Sequence, residues 1–227
     1  MSIKSRILAA TVALTVIGGL GMAGALSANA ATPSCGRNCI DIFSREFGTH
    51  RTPGYVLDVW RQSTRAGTPI ILYRTSNTDR AEDFTISFQG TVSDFFAAGL
   101  VSSALNLHYS DNTAYEIEYS PYGVDSGMCI GTASAATNLT PVVLVPCGAS
   151  AKSVWVVDSQ DEIGRGYVPL INGSTTNFSH PAVLHYPGNG HPTDTPRPQL
   201  NTYQLQKYSN GTVFDNELWG ANFGVLR

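Results

Sequence analysis

Four cysteines carry the most explicit spacing in the chain: Cys35 and Cys39 stand four apart, Cys129 and Cys147 eighteen apart. An even count in two close pairs reads as two disulfides, Cys35 with Cys39 and Cys129 with Cys147, provided the compartment is oxidising. Read as half a zinc site, Cys35-Gly-Arg-Asn-Cys39 would need two further ligands at matching spacing. The five histidines, at 50, 108, 180, 185 and 191, supply no such pair, so no metal and no cofactor is expected. Closing the seventeen residues between Cys129 and Cys147 stabilises by about 3 kcal/mol in the chain-entropy model.

Motifs for nucleophilic, metal-assisted or phosphate chemistry are missing: there is no His-Glu-x-x-His, no Gly-x-Ser-x-Gly and no phosphate-cradling glycine loop. Glu116 and Glu118 alternate along one segment, so in a strand they face the same side, as a glycosidase pair would. Ordinary solvated strand positions explain them equally well and are the expectation. Tyr109, Tyr115, Tyr119 and Tyr122 offer rings that a sugar can lie against, but packing of a loop on the core is the simpler role.

The compartment follows from the first thirty residues. Lys4 and Arg6 precede an apolar run from Ile7 to about Leu26, and Ser27-Ala28-Asn29-Ala30 places small residues where a signal peptidase cuts. Read as a membrane anchor the run is nearly long enough, but Gly18, Gly19, Gly21 and Gly24 weaken it as a permanent helix. Cleavage after Ala30 is expected, leaving residues 31–227 as one secreted, extracellular domain with no membrane association. Losing Lys4 and Arg6 leaves twelve basic against seventeen acidic residues. That balance, with no basic cluster, excludes nucleic acid and anionic membrane surfaces as partners.

Positioning of any site falls to short strands. Gly and Pro punctuate the whole mature chain, and the segments between them are rich in Val, Ile, Tyr, Phe and Thr. Strands are expected at Tyr55–Val59, Pro69–Tyr73, Phe84–Phe88, Val142–Val145, Val154–Val157 and Ala182–Tyr186. One short helix is expected over Val92–Val101, with Ser93 as its cap. The fold class is all-β.

Three phrases repeat. The first runs Gly54-Tyr55-Val56-Leu57-Asp58, Gly67-Thr68-Pro69-Ile70-Ile71-Leu72-Tyr73 and Glu82-Asp83-Phe84. The second runs Gly127-Met128-Cys129-Ile130-Gly131, Leu139-Thr140-Pro141-Val142-Val143-Leu144-Val145 and Ser153-Val154-Trp155. A third opens Gly166-Tyr167-Val168-Pro169-Leu170 and continues His180-Pro181-Ala182-Val183-Leu184-His185. Proline follows Leu57, Ile130 and Leu170 by 12, 11 and 11 residues, and leucine follows each proline by three. One copy cannot bury its apolar face, whereas three around an axis close a barrel and remove exposed strand edges.

These phrases resemble the repeats of the ricin-type β-trefoil lectins, over roughly Ile40 to Leu205. That family opens each repeat on Leu-Asp-Val, continues with Gly-Thr-Pro and a hydrophobic strand, and closes on Gln-x-Trp. The resemblance implies a β-trefoil of three repeats, with a helix-bearing insertion at about 90–111 between the first and second, and a within-repeat disulfide at Cys129 and Cys147. All closing motifs are altered: Glu82-Asp83-Phe84, Ser153-Val154-Trp155, and for the third repeat either Gln199-Leu200-Asn201 or Glu217-Leu218-Trp219. The tail, about 210–227, is read as a further hairpin on the barrel.

By the same resemblance the first repeat keeps a sugar site. Asp58 supplies the carboxylate for sugar hydroxyls, Tyr73 the ring for the sugar's C–H face, and Asn77 and Glu82 the polar groups near the close. The second repeat has Gly131 and Val145 at these positions; the third offers Ile171 or Asn172 with His185 or Tyr186. The expected function is non-catalytic binding of carbohydrate through at most one such site. The alternative is a trefoil scaffold for a protein partner or inhibition, and, more remotely, an enzyme acting on polysaccharide.

Overall fold

The structure, a computed structural model, describes residues 39–47, 54–75, 79–164, 166–188 and 198–221. Its strands are β1 (Ile42–Ser44), β2 (Tyr55–Val59), β3 (Ile70–Arg74), β4 (Phe84–Thr91), β5 (Thr113–Tyr119) and β6 (Met128–Thr132). They continue with β7 (Thr140–Pro146), β8 (Val154–Val157), β9 (Leu170–Asn172), β10 (Ala182–His185), β11 (Asn201–Gln204) and β12 (Trp219–Ala221). Two short helices, α1 (Val92–Ala97) and α2 (Ser103–Tyr109), join β4 to β5. Among the described residues no helix is long and apolar enough to cross a membrane.

Three strand pairs, β1 with β12, β4 with β5 and β8 with β9, form the barrel wall. Their neighbours meet through equivalent bridges, Ile40 with Phe84, Tyr115 with Trp155 and Val168 with Trp219, so the wall closes on itself. Three hairpins, β2–β3, β6–β7 and β10–β11, cap one end. Their second strands touch in a cycle: Pro69 opposite Val143, Asn201 opposite Pro141, and Ile71 opposite Gln199. Closure of this kind leaves few strand edges exposed.

Period-2 alternation explains which side chains point inward. Leu57, Ile130 and Leu184 enter one core with Ile42, Ile117 and Leu170 and with the closing aromatics Phe84, Trp155 and Trp219. Burying each such aliphatic side chain is worth roughly 1.5–3 kcal/mol. Each closing aromatic follows a 3-10 turn, Arg80–Glu82, Ala151–Ser153 or Asp215–Glu217. The indole N–H of Trp155 donates to the Ile130 carbonyl and that of Trp219 to the Leu184 carbonyl, both at 2.9 Å.

These equivalences correct the third repeat. Its close is Glu217-Leu218-Trp219, so that part of the tail completes the barrel instead of forming an added hairpin. Its counterpart of Leu57 is Leu184, not Leu170, because Trp219 bonds Leu184 as Trp155 bonds Ile130. Leu170 belongs to the preceding barrel strand, level with Ile42 and Ile117. The Leu-to-Pro count of 11 there measures a β9–β10 connection that happens to match the hairpin loops in length.

Between β4 and β5 the single expected helix is two. Thr91, the last strand residue, caps α1 in a box with Asp94: the Thr91 Oγ1 accepts from the Asp94 amide, and an Asp94 carboxylate oxygen accepts from the Thr91 amide. Ser93, expected as the cap, instead donates to Asn106 on α2. Val92, Phe95, Val101 and Leu105 pack on the outer side of the barrel against Val156, Ile171 and Val183. The Cys129–Cys147 disulfide is present; Cys39 is also disulfide-bonded, while Cys35 lies outside the described residues.

Candidate functional site

Register places the first-repeat pair. Asp58 lies opposite Ile71 and Tyr73 opposite Val56 on the β2–β3 hairpin, while Leu57 and Leu72 face each other in the core. Asp58 and Tyr73 are therefore diagonal neighbours on the outer face, a separation that long side chains span. Tyr73 is half-buried and Asp58 only 2% exposed. Asn77 lies outside the described residues.

Glu82 is buried at the end of its 3-10 turn and accepts a hydrogen bond from the Thr75 hydroxyl at 3.1 Å. Its carboxylate, with those of Asp58 and Asp79, forms a group in which each contributes an oxygen within 4.8 Å of the others. Asp79 Oδ1 accepts from the Gln62 side-chain amide and from the Ala81 backbone N–H, both at 2.9 Å. Arg80 donates through Nε to Gln62, contacts the Tyr122 hydroxyl, and lies 4.9 Å from that ring's centroid. Asp79 and Gln62 were missed in the sequence. The signal for Asp79 was present, since Asp79-Arg80-Ala81-Glu82 has the spacing of a turn cap followed by an acid.

Position 58 has two structural counterparts. Gly131 lies opposite Val143, and a Cβ there would come within 2.4 Å of Val145 and 2.7 Å of the Lys152 carbonyl oxygen. The second repeat has thus filled this place with its own chain. In the third repeat the counterparts of Asp58 and Tyr73 are His185 and Tyr203, whose ring centroids are 5.1 Å apart. His185 Nδ1 lies 2.8 Å from Asn201 Oδ1, and its Nε2 lies 3.1 Å from Asn216 Nδ2. This pairing makes Nδ1–H the donor and Nε2 the acceptor, a neutral ring, in keeping with burial that pushes its pKa below the usual range. Tyr203 and Asn216 were missed because the third repeat had been read one strand too early; Ile171, Asn172 and Tyr186 do not occupy these positions.

The other acids and tyrosines are structural. Glu116 and Glu118 are buried rather than solvated: Glu116 accepts from the Gly148 amide and the Ser153 hydroxyl, and Glu118 from the Gly127 amide. Both brace the loops that carry the Cys129–Cys147 disulfide. Tyr119 lies in the core, Tyr115 and Tyr109 pack against the two clusters, and Tyr122 stays exposed beside Arg80.

No family model and no curated protein matches the chain. Among solved structures, an exo-β-1,3-galactanase from Clostridium thermocellum superposes with a TM-score of 0.51 at 13% identity, over 82% of this chain and 30% of that one. The fold is a β-trefoil. A designed threefold-symmetric protein, ThreeFoil, aligns at 16% identity over 81% of this chain and 97% of its own, with a TM-score of 0.49. The Macrolepiota procera ricin B-like lectin, in complex with lactose, aligns at 14% identity over 81% and 94%, with a TM-score of 0.47. At these identities the likeness is one of fold, and in this trefoil only the first repeat sets a carboxylate at the outward hairpin position.

Proposed function

We propose that the chain is a carbohydrate-binding protein without a catalytic step, secreted after loss of residues 1–30, whose sugar site is the outer face of the first repeat. The observation that supports this reading is the placement of Asp58 and Tyr73 on one face of the β2–β3 hairpin, turned away from the core. Tyr73 gives the sugar's C–H face an apolar surface, and the Asp58 carboxylate accepts from its hydroxyls. Glu82 braces the turn beneath them through Thr75, and Asn77 is assigned to the site by resemblance. A single shallow site binds weakly, so tight attachment to a surface needs several copies or clustered glycans.

A glycan array of the mature protein, followed by titration of the responding sugar, tests this reading. Tyr73→Ala and Asp58→Asn should each weaken binding tenfold or more, which is about 1.4 kcal/mol. Binding unchanged in both variants would remove the site from this face.

A second reading, a scaffold for a protein partner, is favoured by Phe96 and Leu107, 41% and 82% exposed on the inserted helices. Capture of a protein that persists in saturating sugar and is lost in Phe96→Ser/Leu107→Ser would support it.

A further inference from the structure

Where the second and third repeats meet, three connections enclose a cleft of about 340 Å³. One wall is the β6–β7 loop, with Thr137 and Asn138, and another the β9–β10 link, with Thr176, Asn177 and His180. Gln204, at the end of β11, completes the rim. Ala136, Thr175 and Ala182 are the buried part of the lining, 3%, 3% and 4% exposed. The volume falls at the lower end of the about 300–1,000 Å³ typical of small-molecule clefts. This is none of the three outward hairpin places: Asp58, Gly131 and His185 take no part in the lining.

The walls are tied to one another across the repeat boundary. The Gln204 amide N–H donates to Asn138 Oδ1 at 2.7 Å, and the Ala136 amide to the Ser174 hydroxyl at 2.9 Å. The Thr202 hydroxyl donates to the Thr137 carbonyl and the Leu139 amide to the Thr202 carbonyl, each at 2.7 Å. These last two bonds hold Leu139 at a φ of 61°, in the left-handed region that a leucine occupies only where its surroundings impose it. Within the β9–β10 link, Asn177 Oδ1 accepts from the Ser179 and His180 amides, and Thr175 Oγ1 from the Ala182 amide at 3.0 Å. A cleft fixed in this way loses little conformational freedom when it is filled.

Its chemistry is neutral and polar. No Asp, Glu, Lys or Arg among the described residues lines it, which leaves no fixed charge to hold a phosphate or a carboxylate. No Phe, Tyr, Trp or Leu among them lines it either, so it lacks the apolar anchor pocket that a protein partner uses. Asn138 and Asn177 have their oxygens engaged by backbone amides and keep N–H donors to offer. Gln204 brings a donor and an acceptor, and the Thr176 hydroxyl is both at once. Hydroxyl groups, which donate and accept together, match such a set, and the Ala136 and Ala182 methyls give C–H edges a small apolar patch.

We propose that this cleft is a second binding site, for a neutral sugar of one or two rings, separate from the first-repeat face and not resting on it. With no ring to lie against, hydrogen bonds carry the affinity, and binding is weak.

The test is a nuclear magnetic resonance titration of the isotope-labelled full mature protein with lactose, maltose, mannobiose and chitobiose. Each is taken to about 100 mM, well above a millimolar Kd. The side-chain amide signals of Asn138, Asn177 and Gln204 should move saturably with at least one of them. Gln204→Ala/His180→Ala removes two exposed rim side chains that enter none of the ties between the walls. It should weaken that sugar at least tenfold while the melting midpoint stays that of the wild type. No saturable shift with any of the four sugars, or a shift the double variant leaves at wild-type affinity, would overturn the proposal. The same titration in Tyr73→Ala separates the two sites: shifts that persist belong to the cleft, and shifts that vanish belong to the first repeat and sink this proposal. Failure in the cleft leaves the first-repeat site, read by the glycan array, untouched.

Discussion

Trp155 and Trp219 make the same hydrogen bond one repeat apart, each indole N–H reaching at 2.9 Å the carbonyl of the residue that precedes the outward hairpin position. Phe84 occupies the third such place and, lacking an N–H, fills the core by shape alone. Trp219→Phe should therefore be tolerated by the barrel yet leave the buried Leu184 carbonyl without its donor. A loss of about 1–3 kcal/mol is expected, read as a lower denaturant midpoint at unchanged slope.

Gly131 answers a different question, whether an eroded repeat can be restored by one substitution. Its Cβ position is already taken by Val145 and the Lys152 backbone. Gly131→Asp should destabilise by about 1–3 kcal/mol, and more if the backbone cannot shift, without adding a sugar equivalent. Denaturation and glycan titration on the same sample check both halves.

Glu217 makes stability depend on pH. Burial pushes its carboxyl up to about 8, although the Gln206 amide N–H donates to it at 2.8 Å and opposes the rise. The neutral form is the one the fold prefers, so its contribution is complete below the ordinary carboxylate pKa of 4.5 and disappears as pH climbs through about 8. Asp41 acts in the same sense, pushed up to about 7 by burial and then by the charge of Asp83. Melting midpoints should fall between pH 5 and pH 9, and Glu217→Gln should flatten that fall and exceed the wild type at pH 9 by a few kcal/mol at most. An unchanged slope in the variant would relocate the effect.

Much of this architecture was readable because Gly and Pro mark strand ends and because one hairpin phrase recurs. Tyr55–Val59 is an element bounded as expected, and Asp58 and Tyr73 share a face because antiparallel partners must. The third repeat misled because spacing counts residues between prolines and does not say which strand a leucine belongs to. Leu170 satisfies the count from a barrel strand, and the β10–β11 register together with the indole bond of Trp219 gives the place of Leu57 to Leu184. Asp79 escaped notice because the carboxylate group is assembled by a turn folding back over a hairpin, a contact between residues 21 apart with no periodicity to announce it. Glu116 and Glu118 were misjudged for a related reason: alternation fixes the side of a strand, whereas loops arriving from 127 and 148 decide whether that side is wet.

On β2, β6 and β10 each residue that anchors the barrel sits next to one that faces away from it: Leu57 beside Asp58, Ile130 beside Gly131, Leu184 beside His185. Folding and chemistry are thereby written on alternate letters of the same strand. An acid, a glycine and an imidazole stand at three equivalent outward places while their inward neighbours are all aliphatic, so the barrel is specified by one set of letters and the three repeats differ in the other.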